Sequence, residues 1–137
     1  MAYLVDTNVL SELRKGARCD ARVAAWFAEV DEDALFLSVL AIGEIQRGAD
    51  RIRRRDARSA AALERWLGNL TDTYTDRILP ITLEIARLWG SFGVPDPIPT
   101  VDGLLAATAQ WHDLTLVTRN VKDVASTRVA TLNPFAG

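Results

Sequence analysis

The feature that most limits how this chain can fold is a short apolar run that leads directly into a carboxylate. Tyr3–Val5 is followed by Asp6, Thr7 and Asn8, and a helical pattern of apolar residues begins at once. Such a run is typical of a strand in a parallel sheet that helices cover on both faces. Ligands of these sheets bind beyond the carboxyl ends of the strands, where Asp6 is expected. Asp6 is equally compatible with a simple turn, with Thr7 or Asn8 capping the next helix.

Further short apolar runs alternate with helical patterns along the chain. They predict four more strands, at residues 35–37, 78–81, 114–118 and 129–132. Polar residues ahead of the helical patterns predict helix caps at Asp20, Ser38, Thr82 and Thr100. This alternation predicts one α/β domain over residues 1–137, a three-layer α/β/α sandwich with a short parallel sheet of about five strands.

Composition excludes some kinds of site and location. One cysteine, Cys19, excludes an internal disulfide, and with a single histidine, His112, the chain cannot form a zinc site of the usual Cys/His kind. A metal would therefore be held by oxygen ligands, which favour magnesium, manganese or calcium. No apolar run reaches the roughly 18 residues that cross a bilayer, and the N-terminus lacks a secretory signal. We therefore expect a cytoplasmic protein with no membrane partner.

Positive charge is concentrated in one segment, although the net charge at pH 7 is only -2. Two predicted helices form a hairpin, and around their junction lie Arg47, Arg51, Arg53, Arg54, Arg55 and Arg58. Only two acids, Asp50 and Asp56, lie among them. A locally basic surface suits phosphate binding, because arginine grips phosphate with two parallel hydrogen bonds. A solvated cluster, or a docking surface for an acidic protein, explains the same pattern.

Four acids are placed where they can meet at one edge of the predicted sheet: Asp6 after the first strand, Glu44 on the helix after the second, Asp102 at a helix start, and Asp123 after the fourth strand. Carboxylates crowded into one pocket repel each other, so a divalent cation is needed to neutralise them. Magnesium, held by carboxylates, waters and a substrate phosphate, would orient water for attack on a phosphodiester. Pairing of Glu44 with Arg47, and the helix dipole at Asp102, are structural explanations for two of these acids.

Six segments, taken in order, carry a resemblance to a known family: Leu4–Glu12, Leu37–Ser38, Gly43–Gly48, Asp102–Ala109, Leu114–Asn120 and Asn133–Phe135. Their order and spacing resemble the PIN-domain ribonucleases, in particular the VapC and FitB type of toxin from bacterial toxin-antitoxin pairs. No single segment is very specific, but the ordered set spans essentially the whole chain. The resemblance implies an endoribonuclease that depends on Mg²⁺ or Mn²⁺. It implies three core acids that bind the metal, Asp6, Glu44 and Asp102, and the supporting residues Thr7, Asn8, Thr118 and Asn120.

The resemblance leaves the fourth acidic position open. Some relatives carry aspartate directly after the Thr-Arg pair, where this chain has Asn120, and others use an acid three residues later, which here is Asp123. Asn120 can orient a water or a phosphate but contributes no charge, so the number of metal ions is also open. The resemblance further implies an RNA substrate, a homodimer and a cognate VapB-like antitoxin, and the arginine segment suits contact with RNA or with the antitoxin.

Two other functions match parts of this pattern. Phosphatases with an aspartyl nucleophile also begin with a strand that ends in Asp, but they need a second Asp two residues later, where this chain has Asn8. A catalytically impaired PIN domain that only binds RNA or protein is the alternative from another class. Asn120, in a position where some relatives have an acid, is the feature that favours it.

Overall fold

The fold is built on a parallel sheet, and the computed structural model describes residues 1–136. The strands are β1 Tyr3–Val5, β2 Leu35–Ser38, β3 Ile78–Leu79, β4 Thr115–Val117 and β5 Thr131–Leu132. They lie in the order β3-β2-β1-β4-β5, and every neighbouring pair is parallel. The centre of the register pairs Leu4 with Phe36 on one side and with Leu116 on the other. The predicted five-stranded parallel sheet is therefore confirmed.

Helices cover both faces of this sheet. They are α1 Thr7–Leu13, α2 Ala21–Glu29, α3 Val39–Ile52, α4 Ala57–Thr73, α5 Leu83–Ser91 and α6 Thr100–Trp111. Short 3-10 segments lie at Gly16–Arg18, Glu32–Ala34, Thr75–Arg77 and Val121–Thr127. Within the described residues, every helix is too short or too polar to span a bilayer.

Alternation along the strands creates two separate cores, because successive side chains point to opposite faces of a sheet. Val5 belongs to the core that α1 to α4 cover, whereas Leu4 packs with Leu105 and Ala109 of α6 on the other face. On the first face, α3 and α4 pack along each other as the predicted helical hairpin. On the second, α5 packs against α6. The α/β/α layering follows directly from these two cores.

Helix caps were predicted correctly at three of four positions. Asp20, Ser38 and Thr82 each accept a hydrogen bond from a backbone N–H in the first turn of α2, α3 and α5. The prediction for Thr100 was wrong, because Thr100 is already helical and Pro99 is the capping residue. The Pro99 carbonyl accepts the first helical hydrogen bond, from the N–H of Gly103, at 2.9 Å.

Candidate active site

Asp6 is the buried centre of the site and lies directly after β1. Only 5% of the surface of Asp6 is exposed to solvent. One carboxylate oxygen accepts the backbone N–H of Thr7 at 2.7 Å, so Asp6 itself caps α1. The other accepts the Thr118 hydroxyl at 2.7 Å and the Asn8 amide at 3.3 Å. The expectation that Thr7 or Asn8 caps this helix was wrong, because both side chains are used in the site instead.

The electrostatics of Asp6 show that other acids lie near it. Burial, with smaller contributions from the charges of Asp102 and Glu44, raises the pKa of Asp6 to about 6. Hydrogen bonds from Thr118 and Thr7 act in the opposite direction and lower the pKa. Asp102 and Glu44 therefore lie close enough to Asp6 for their charges to act on it. They are two of the three further acids that the sequence predicted to meet Asp6 at this edge of the sheet.

Glu44 reaches this pocket from α3. Its Oε1 accepts the hydroxyl of Thr7 at 2.6 Å, a contact between residues 37 positions apart. Among residues 1–136, the ion pairs do not include one between Glu44 and Arg47. The structural explanation for Glu44, a pair with Arg47, therefore does not apply.

Asp102 enters the pocket from the first turn of α6. Burial raises its pKa, as do the charges of Asp123 and Glu44, while the Asn120 side chain lowers it. Negative charge in the first turn is also favoured by the helix dipole, as the sequence suggested. The dipole and the acidic pocket therefore both act on this residue.

Gly103 lets α6 approach α5 closely beside Asp102. A Cβ atom at Gly103 would lie 3.0 Å from Cδ1 of Ile98 and 3.0 Å from Cδ1 of Trp89. Glycine is a poor helix former, and this close packing explains why one lies in the first turn of α6. The same packing holds the start of α6, and with it Asp102, in place.

The end of β4 completes the site and joins it to the end of β1. The Thr118 hydroxyl donates to Asp6 and accepts the backbone N–H of Asn120 at 3.0 Å. The Asn8 side chain spans the same two strand ends, since its amide lies 3.4 Å from the Thr118 hydroxyl and its carbonyl accepts the N–H of Arg119. These contacts hold Oδ2 of Asp6, and the backbone N–H of Thr7 holds Oδ1, so the carboxylate is oriented at both of its oxygens.

Both residues considered for the fourth acidic position lie beside Asp102. Asn120 follows β4, and Asp123 is exposed in the 3-10 segment Val121–Thr127. The charge of Asp123 raises the pKa of Asp102, whereas the Asn120 side chain lowers it. The two residues thus act on Asp102 in opposite electrostatic directions.

The side-chain atoms around Asp6 that could bind a metal are carboxylate, hydroxyl and amide oxygens. Oxygen ligands suit a hard cation. Burial is the largest cause of the raised pKa values of Asp6 and Asp102, and the smaller contributions from neighbouring acids are the repulsion that a cation would relieve. Over residues 1–136, no three His, Cys, Asp or Glu side chains are arranged to hold a metal ion by themselves. Magnesium commonly uses one or two carboxylates and keeps several waters, so the residues fit an ion held partly through water.

A comparison with protein families decides the classification of this fold. Residues 3–126 match the family model described as PIN domain. The chain belongs to the PIN-domain family. The resemblance inferred from the ordered segments is thereby confirmed.

Curated relatives and solved structures match this PIN domain over nearly its whole length. Toxin FitB of Neisseria gonorrhoeae is 28% identical and covers 96% of this chain and 97% of its own. VapC ribonuclease Y4jK of Sinorhizobium fredii is also 28% identical, with 96% of each chain covered. The crystal structure of FitAcB from Neisseria gonorrhoeae has a TM-score of 0.87 at 28% identity, covering 97% of this chain and 98% of that one. A toxin-antitoxin complex from Klebsiella pneumoniae gives 0.68 at 26%, with the same coverage.

The arginine segment of this PIN domain divides into three groups. Arg53 forms ion pairs with Asp50 at 2.7 Å and with Glu64 at 2.9 Å. Three others line one open groove along α3, namely Arg47, Arg51 and Arg54. The last two, Arg55 and Arg58, are exposed and do not line this groove. The sequence treated the six as one cluster, and only the packing of α3 against α4 separates them.

One basic residue beside the site had no role in the sequence predictions. The guanidinium of Arg119 lies 3.7 Å from the ring centroid of Phe135, and its backbone N–H donates to Asn8. In the sequence, only its position directly after Thr118 indicated that Arg119 lies near the site.

A second buried acid, Glu12, is structural, because it accepts hydrogen bonds from the Asp20 backbone and the Lys15 ammonium, which lower its pKa.

Proposed function

We propose that this PIN domain, over residues 1–137, is the toxin of a toxin-antitoxin pair and acts as a metal-dependent endoribonuclease. One observation carries the proposal: the buried carboxyl group of Asp6 lies close enough to Asp102 and Glu44 for their charges to raise its pKa. The name of the relative VapC ribonuclease Y4jK supports RNA as the substrate. We also propose a cytoplasmic location, since RNA is its substrate.

In this proposal the divalent cation is held by Asp6, Asp102 and Glu44, together with water. Mg²⁺ is the proposed ion and Mn²⁺ is the second choice, since both accept oxygen ligands. When bound, such a cation supplies Lewis-acid polarisation of the phosphate and activation of water.

The other residues of the chain hold these acids in position and handle protons and phosphate. Thr118 and Asn8 keep Asp6 turned toward the pocket, and Thr7 holds Glu44 by the 2.6 Å hydrogen bond from its hydroxyl. Asn120, which carries an amide and no charge, orients the phosphate or a water. We assign the fourth acid to Asp123, because it alone of the two candidates adds negative charge beside Asp102.

The proposed partners are a VapB-like antitoxin and a second copy of this chain. The similar toxin-antitoxin complex from Klebsiella pneumoniae supports the antitoxin. The homodimer rests on the family resemblance. A PIN domain that only binds RNA or protein is the weaker proposal, since the acids that resemble the family's three core acids are all present.

The test removes one acid and measures two properties at once. Asp102→Asn is compared with Asp72→Asn, which changes an exposed acid on α4 by the same chemistry. Magnesium binding is measured by calorimetry and RNA cleavage by gel analysis of end-labelled transcripts. We expect Asp102→Asn to lower both by at least about 10-fold and Asp72→Asn to leave both unchanged. Cleavage by Asp102→Asn at the wild-type rate, or by wild-type protein in excess EDTA, would disprove the assignment.

A further inference from the structure

The arginines of the α3–α4 hairpin have different partners, and this difference is the starting point. Arg53 is held between Asp50 and Glu64, and Gln46 donates to the same two carboxylates at 3.2 Å each. Within residues 1–136, Arg47, Arg51 and Arg54 form none of the ion pairs. Their positive charges are therefore available to a ligand.

These three arginines share one groove, which also has Gly43, Gln46 and Asp50 in its wall. Its volume of about 650 Å³ is within the range of ligand sites, and it is open to solvent along its length. The only acid in the wall, Asp50, is engaged by Arg53, and hydrogen bonds from Arg53 and Gln46 lower its pKa. The groove thus presents three arginines that are outside the ion pairs of residues 1–136, and one acid that Arg53 and Gln46 already engage.

The groove is linked to the acidic site through α3. Gly43, in the groove wall, is the sequence neighbour of Glu44, whose Oε1 accepts the Thr7 hydroxyl. At 1.5 Å of rise per residue, Arg47 and Arg51 follow Glu44 by roughly 4.5 and 10.5 Å along the helix axis, and Arg54 lies in the turn just beyond the end of α3 at Ile52. At 100° per residue, Arg47 and Arg51 lie about 40° apart around the axis, so they share one face of α3. The charges are therefore spaced along a track and are not clustered at one point.

Spaced arginines in an open groove suit a linear polyanion better than a single small anion. Each guanidinium can contact one phosphate with two hydrogen bonds, so arginines spaced along a helix face and the turn after it can contact successive phosphates of one strand. An acidic peptide would also be attracted by charge. Its carboxylates, however, carry no fixed spacing that this row of arginines would match.

We propose that Arg47, Arg51 and Arg54 form a phosphate-binding track for the RNA strand on one side of the cleaved bond, an inference that rests on the proposed ribonuclease function. Arg53 is a positioning residue in this track, since its ion pairs join Asp50 in the groove wall to Glu64 on α4. Arg55 and Arg58 are not part of the track.

The experiment compares two triple variants that remove equal charge from the same hairpin. The first changes Arg47, Arg51 and Arg54 to Gln, and the second changes three exposed arginines that do not line the groove to Gln: Arg55, Arg58 and Arg65. Binding of a fluorescent single-stranded 10-mer RNA is measured by anisotropy across a salt series, with Asp102→Asn added to prevent cleavage. Three lost phosphate contacts, at about 0.7 each, should reduce the slope of log K against log salt by about 2 for the first variant only.

Cleavage assays keep failure of the inference separate from failure of the function. In otherwise wild-type protein, the first triple variant should lose at least about 10-fold in kcat/KM on the 10-mer, mostly through KM, and should cleave a dinucleotide normally. If wild-type protein cleaves no RNA, the ribonuclease proposal fails. If wild-type protein cleaves RNA and the two triple variants behave alike, the track is wrong. An unchanged RNA salt slope with weaker binding of an Asp/Glu-rich peptide would also overturn it, making the groove a protein-binding surface.

Discussion

Replacing Asp6 with Asn should stabilise the protein at neutral pH in the absence of metal. The pKa of Asp6 rises from 3.8 to about 6 on folding, so the ionised group is tolerated less well in the folded than in the unfolded state. Each pKa unit corresponds to 1.36 kcal/mol, so ionised Asp6 costs about 3 kcal/mol of stability above pH 6. Because the folded pKa is the higher one, this cost is small below about pH 4 and grows as the pH rises to 6.

Lost hydrogen bonds offset part of this gain. The asparagine amide nitrogen would replace the oxygen that accepts the Thr118 hydroxyl and the Asn8 amide, at about 1 kcal/mol each. We therefore expect a net stabilisation of about 1 kcal/mol at pH 7.5. The lost hydrogen bonds cost about the same free energy at pH 4 as at pH 7.5. The difference in ΔΔG between these two pH values therefore isolates the electrostatic part, which should be about 2 kcal/mol.

Urea denaturation in the presence of EDTA measures this difference directly. Wild-type protein, Asp6→Asn and the exposed control Asp72→Asn are each unfolded at pH 4 and pH 7.5, and the unfolding free energies are subtracted pairwise. The control should give the same ΔΔG at both pH values within about 0.5 kcal/mol. If the ΔΔG of Asp6→Asn is equally independent of pH, ionised Asp6 does not destabilise the folded protein, and the reasoning about the site is refuted.

Three further predictions test the surroundings of Asp6. Thr7→Val keeps the shape of the side chain but removes the hydrogen bond to Glu44, so magnesium affinity measured by calorimetry should fall about 10-fold, and unchanged affinity would contradict this role. Gly103→Ala should lower the unfolding free energy by about 1 to 2 kcal/mol through contact with Trp89, whereas Gly68→Ala, with nothing near its Cβ position, should raise it by about 1 kcal/mol. Equal effects of the two alanines in urea denaturation would rule out the close contact. Magnesium at about ten times its dissociation constant should stabilise the wild-type protein by about 1.4 kcal/mol, and a constant melting temperature across a millimolar series would contradict metal binding.

Much of the fold was predictable because its signals are local. Short apolar runs predicted all five strands, and polar residues such as Ser38 predicted caps, since a cap depends on neighbouring backbone groups. The prediction failed at Thr100, where Pro99 takes the capping position. It also failed at Thr7, because a residue 37 positions away competes for its hydroxyl. Local signals cannot reveal such a competitor.

The sequence alone determined which chemical groups the chain offers and where along it they occur: acids at strand ends and helix starts, small hydroxyls beside them, and a run of arginines. Only the tertiary structure decided which of these groups interact. The order of the strands places β4 beside β1, so that Thr118 binds Asp6 across 112 positions of sequence. The packing of α4 on α3 pairs Arg53 with Glu64, whereas Arg47, Arg51 and Arg54 take part in none of the ion pairs of residues 1–136. The reason is physical: pKa shifts and ion pairs depend on distance and burial, which the chain acquires only when its helices and strands pack together.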